Sequence, residues 1–161
     1  MNRHLRMFIF AIGFDLYWIL VVLFRERGLA LWLALAILAC FLLPLAQRIS
    51  ALALAAAGSG LDALWALTGL IDFQGNALLP LWMVALWLMF AALWTHLTCS
   101  TRLPGWLLVL MATCGGPVAW VFGKRLGAVT FLEPTFIVVG LMAAGWLVLM
   151  LFFHIFMEKR Q

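Results

Sequence analysis

The chain has 161 residues, 68% of them hydrophobic and 10% charged, with a formal net charge of +4 and a mean hydropathy of +1.17. A soluble domain carries roughly a quarter of its residues as charges, so this composition excludes a water-exposed globule and puts lipid around one domain-sized molecule. The ten Lys and Arg are scattered in ones and twos between oily segments; that excludes a nucleic-acid-binding stripe and makes membrane lipids the expected surroundings.

About twenty apolar residues cross a ~30 Å hydrocarbon layer as a helix. Six stretches approach that length, at about 7–24, 29–46, 49–71, 77–99, 103–123 and 135–157. The first has the basic start of a signal peptide, but it runs on to Phe24 without a small-residue cleavage pattern and reads as an uncleaved span. "RERG" separates it from the second. The second is the weakest, because only "QR" divides it from the third and Pro44 lies near its end; without it there are five. "DFQGN", "STRLPG" and "GKRLGAVTFLEP" close the remaining gaps. Interruptions this short imply an all-α integral membrane fold, a six-helix antiparallel transmembrane bundle. With the N-terminus inside, Arg3, Arg6, Arg48, Arg102, Lys159 and Arg160 lie on the cytoplasmic side and Arg25, Arg27, Lys124 and Arg125 on the other. Basic residues favour the cytoplasm, so both termini are expected there.

A carboxylate near the bilayer centre costs about 3 kcal/mol on insertion scales. Asp15 and Asp62 both fall inside spans, in spans of the same direction and at broadly similar depth. No Lys or Arg lies in any span to pair with them, so each is expected neutral or hydrogen-bonded to neighbouring helices. With Trp18 and Trp65 they form the candidate intramembrane polar site. The plainer alternative is a packing joint made by interhelical hydrogen bonds. "GFDLYW" (13–18) and "GLDALW" (60–65) share G-x-D-x-x-W, and "GGPVAW" (115–120) repeats its Gly and Trp. Thirteen Gly and nine Trp give about 0.7 such Gly–Trp spacings by chance against three seen, so a hairpin repeat and coincidence both stay open. The small residues Ala55, Ala56, Ala57, Gly58, Ser59 and Gly60 allow a neighbouring backbone to come close, which would seal Asp62 from lipid.

The deeper tryptophans, Trp18, Trp65, Trp87, Trp94 and Trp146, need acceptors for their N–H groups, while Trp82 and Trp106 fall where an interfacial belt would hold them. Gly115, Gly116 and Pro117 are a candidate helix kink. His96 and Cys99 stand three apart, yet two ligands do not make a metal site, and His154 lies at the end of the last span. Cys40, Cys99 and Cys114 show no paired spacing and read as small apolar residues. No nucleophile elbow, phosphate loop or dinucleotide fingerprint is present. No catalytic residue, metal or cofactor is therefore assigned.

"GSGLDALWALTGLIDF", "LPLWMVALWLMFAALW" and "GGPVAWVFGKRLGAV", in that order, resemble the domain-of-unknown-function family DUF2878. The resemblance covers about Gly58 to Val129. It implies a small multi-span protein of the bacterial inner (cytoplasmic) membrane, encoded near enzymes that modify lipid acyl chains. Three readings follow: a non-catalytic accessory or scaffold for such enzymes, a proton-linked transporter working through the aspartates as a homodimer, and an intramembrane enzyme using His96 or His154.

Overall fold

A computed structural model describes residues 3–75, 77–101 and 103–159, with side chains from Phe8 onward. Arg102, Arg160 and the side chains of Arg3 and Arg6, used in the charge count, lie outside the described residues. Six helices follow one another: α1 (Arg3–Phe24), α2 (Leu29–Leu42), α3 (Leu45–Leu67), α4 (Leu81–Ser100), α5 (Gly105–Arg125) and α6 (Thr135–Glu158). Two short strands, β1 (Ile71–Phe73) and β2 (Val129–Phe131), stand between α3 and α4 and between α5 and α6.

Among the described residues, five stretches are long and apolar enough to cross a membrane: Phe8–Leu42, Leu45–Leu67, Leu81–Ser100, Gly105–Arg125 and Thr135–Glu158. The first contains a reversal. A 3-10 turn over Arg25–Gly28 joins α1 to α2, and Arg25 takes a positive φ of 46°. The Tyr17 hydroxyl donates to the Trp32 carbonyl at 2.9 Å, whereas fifteen residues of unbroken helix would hold them about 22 Å apart. α2 has 14 residues, about 21 Å of helix, short of the layer on its own.

The second and third helices meet at Leu43–Pro44, not at "QR". Proline cannot continue a helix but can begin one. The Pro44 carbonyl accepts from Gln47 and Arg48 N–H, so both residues lie in the first turn of α3. Arg48 reaches back instead, donating to the Leu43 and Phe41 carbonyls at 3.0 and 2.6 Å with its guanidinium over the Phe41 ring. It thereby serves the end of α2, where carbonyls have no helical partner.

The chain forms two compact units, one of residues up to Ala56 with Leu81–Thr101, the other of Ala57–Pro80 with the chain after Thr101. In the first, α4 packs on both α1 and α2. Phe10 meets His96, Phe14 meets Phe90 and Tyr17 donates to the Ala85 carbonyl, so α1 and α4 run antiparallel. The buried Ala36, Ala85, Ala91 and Ala92 lie along α2 and α4, and the Cys40 thiol donates to the Leu88 carbonyl at 3.7 Å.

In the second unit α5 and α6 form an antiparallel hairpin, and the strands pair antiparallel with Ile71 opposite Phe131 and Phe73 opposite Val129. The ribbon was not expected from "DFQGN" or "GKRLGAVTFLEP". Both strands leave their helices by the same device. Gly69 and Gly127 have φ of 73° and 72°. Gly69 N–H bonds to Ala66 O and Leu70 N–H to Trp65 O; Gly127 N–H bonds to Lys124 O and Ala128 N–H to Gly123 O. These are two Schellman caps, each aiming an apolar–polar–apolar strand whose outer residues are buried.

Candidate functional site

Asp62 stands on α3 with 1% of its surface exposed, so the expected inward-facing carboxyl is where the sequence put it. Its depth differs from expectation. α3 ends five residues later at Leu67, so Asp62 lies about 8 Å of helix from the ribbon end, not at the middle. Trp65, one turn on along the same side of α3, fills a notch in α6. A Cβ added at Gly145 would lie 2.6 Å from Trp65 Cζ2 and 3.4 Å from Leu61 Cδ1. The next residue of α6, Trp146, lays its indole on Gly116 of α5, where any Cβ would overlap the ring. α3, α6 and α5 are thus keyed together by two tryptophans seated on two glycines. Of the two glycines in "GSG", Gly58 is buried, while a Cβ at Gly60 meets nothing within 4 Å.

α5 runs as one helix through Gly115, Gly116 and Pro117. Proline lacks the N–H that residue 117 would give to the Thr113 carbonyl, and the buried Thr113 hydroxyl has no hydrogen-bond partner among the described residues. The buried Trp65 Nε1–H is likewise without an acceptor. One carboxyl, one indole donor and one hydroxyl are therefore sheltered in this unit. The Phe73 ring of β1 lies tilted against Trp120 at the ribbon end of α5, centroids 5.8 Å apart.

Asp15 lies on an outer, exposed side of α1, with Trp18 half-buried one turn on. The two G-x-D-x-x-W segments thus put their aspartates in opposite environments. Trp106 is exposed at the start of α5, as an interfacial residue should be, while Trp82 is buried at the start of α4.

The histidines stand apart from the aspartates in sequence and setting. His96 meets the Ser100 hydroxyl at 3.3 Å and the Phe10 ring. His154 Nε2 lies 3.3 Å from Glu158, its ring seated on Gly105 so closely that a Cβ there would overlap it. Among the described residues no three His, Cys, Asp or Glu converge as a metal site.

A family model described as Protein of unknown function (DUF2878) matches residues 7–152. The chain belongs to the DUF2878 family. No curated protein and no solved structure matches it. The DUF2878 match includes α1 and α2, beyond the Gly58–Val129 stretch that carried the resemblance, and so takes in both aspartates and most of α6. Sequence reading missed the two tryptophan sockets and the ribbon. Their signals were present: "TGLIDF" (68–73) and "LGAVTF" (126–131) share G-x-[IV]-x-F, one glycine for the cap and two inward apolar residues for the strand.

Proposed function

We propose that this DUF2878 protein is a non-catalytic membrane component, an accessory or scaffold for enzymes that modify lipid acyl chains in the bacterial inner membrane. The observation that carries the non-catalytic part is the keyed packing around Asp62. Its helix is locked to α6 through Trp65 on Gly145 and onward to α5 through Trp146 on Gly116, which is how a joint is built. Hydrogen bonds of buried polar groups between membrane helices fix packing. The acyl-chain part follows from the family resemblance. Fatty-acid profiling of a deletion strain should show a changed acyl composition, restored by both wild type and Asp62→Asn. Conversion of a lipid by the purified protein alone, lost in Asp62→Asn, would overturn the reading.

A second reading, a proton-linked transporter, is favoured by the unbonded Trp65 indole and Thr113 hydroxyl in the unit that buries Asp62. Proton-driven uptake into proteoliposomes, abolished by Asp62→Asn, would establish it in place of the first. The third, an enzyme using His96 or His154, has the least support, since each ring is engaged by its own helix end and by a neighbouring helix.

A further inference from the structure

Asp15 is the most exposed liability of the fold. Arg6 and Arg25 bracket α1 on either side of it in the sequence. Nine residues separate it from one and ten from the other, about 14 and 15 Å of helix, so it sits at the middle of a ~30 Å layer. Unlike Asp62, its side chain lies on an exposed face. A carboxyl facing lipid is costly in either form: ionised it loses its hydration, and neutral it leaves an O–H and a C=O that hydrocarbon cannot serve.

Its row on the helix identifies what can serve it. Phe8, Ile12, Asp15 and Ile19 follow one another at spacings of four, three and four, the seam of a two-helix coiled coil with a single polar residue in it. Phe8, Ile12 and Ile19 are all exposed. A neighbouring row, Ile9, Leu16 and Leu23, is exposed too, but every atom in it is content in lipid. Basic residues of the spans stand only near their ends, as Arg48 does in α3 and Lys124 and Arg125 do in α5, so a cationic complement at mid-membrane would require a second kind of protein. A carboxylic acid needs none, being donor and acceptor at once, and a two-fold axis sets a residue opposite its own copy. Two copies inserted with the same orientation present α1 in parallel at equal depth.

We infer that this protein forms a parallel homodimer through the Phe8–Ile12–Asp15–Ile19 row of α1, with the two Asp15 carboxyls hydrogen-bonded to each other at the two-fold axis. The contact does not depend on the proposed function. It makes Asp15 an oligomerisation residue and Asp62 an internal one.

The test uses the full chain in its membrane, with Cys40, Cys99 and Cys114 replaced by alanine and one cysteine returned at a time. Copper phenanthroline should cross-link Phe8→Cys, Ile12→Cys and Ile19→Cys into dimers, and leave Ile9→Cys, Leu16→Cys and Leu23→Cys largely monomeric. Adding Asp15→Leu should lower dimerisation about tenfold, the equivalent of one interhelical hydrogen-bonded contact in a membrane. Asp15→Asn should preserve it, since an amide also pairs with itself. Because position 15 is exposed, neither variant threatens folding of the protomer. Equal cross-linking of the two rows, no self-cross-linking at all, or dimerisation unchanged in Asp15→Leu would overturn the inference; the second result would assign the face to another protein or to the rest of this chain.

Discussion

At the residue scale the informative groups are glycines that hold an aromatic ring. Gly116 and Gly145 are contact surfaces: the Trp146 and Trp65 indoles occupy the space a side chain would need. Rigid bicyclic rings on packed helices cannot retreat by a few tenths of an ångström, so overpacking costs are expected at the usual magnitude. Gly116→Ala and Gly145→Ala should each destabilise the protein by about 1–3 kcal/mol. Gly60→Ala, in the interior of α3 with open space around it, should stabilise by about 0.5–1 kcal/mol through its better helix propensity. Unfolding in mixed micelles with increasing SDS measures all three on one scale, and a common sign for the three would refute the socket description. Both socket glycines stand beside or near a tryptophan in the sequence, in "AAGW" and "CGGPVAW", yet spacing along one helix does not say which ring of another helix will land there. Burial of Asp62 was legible because a carboxyl has few tolerable places in such a chain. The exposure of Asp15 was not, because an apolar helix has no polar face to mark its outer side.

At the scale of elements, helix ends matter more than helix interiors. Six apolar runs were readable from composition, and the structure keeps four of the five intervals between them. The boundary that moved, from "QR" to Leu43–Pro44, did so because proline sets φ and lacks a donor, which outranks the charge of Arg48. That arginine is still used, on the carbonyls of Phe41 and Leu43. Its ion-dipole contribution is partly screened at an exposed end, so Arg48→Ala should cost at most about 1 kcal/mol. The two Schellman glycines predict more. Gly69→Ala and Gly127→Ala force a Cβ into left-handed backbone, each costing about 1–2 kcal/mol. Because the ribbon needs both caps to align Ile71 with Phe131, the double variant should lose less than the sum of the singles. A strictly additive double-mutant cycle in the SDS titration would show that the caps act independently of the ribbon. The ribbon escaped sequence reading because three-residue strands are too short for a period to register; only the recurrence of G-x-[IV]-x-F announced it.

At the scale of the whole molecule, the open quantity is which side of the membrane each loop faces. Tyr17 on Trp32 establishes a reversal at Arg25–Gly28, so α1 and α2 run oppositely despite being one unbroken apolar interval by hydropathy. The ribbon places the loop after α3 and the loop after α5 together at one end of their unit. Their shared end carries Lys124, held over the Phe131 ring and donating to the Thr135 hydroxyl at 2.8 Å. The positive-inside count sets four basic residues on that side, Arg25, Arg27, Lys124 and Arg125, against six on the other, and the larger number marks the cytoplasm. The ribbon is therefore expected outside the cytoplasm and both termini inside. Thr130 offers the test, being exposed at the centre of β2 opposite Asp72. In the cysteine-free chain, Thr130→Cys should react with a membrane-impermeant maleimide in cells whose outer membrane alone is permeabilised. A cysteine appended after Gln161 should react only once the inner membrane is opened. The reverse pattern would invert the molecule, and reaction of both from one side would mean that α6, the one helix between the two positions, does not cross the membrane.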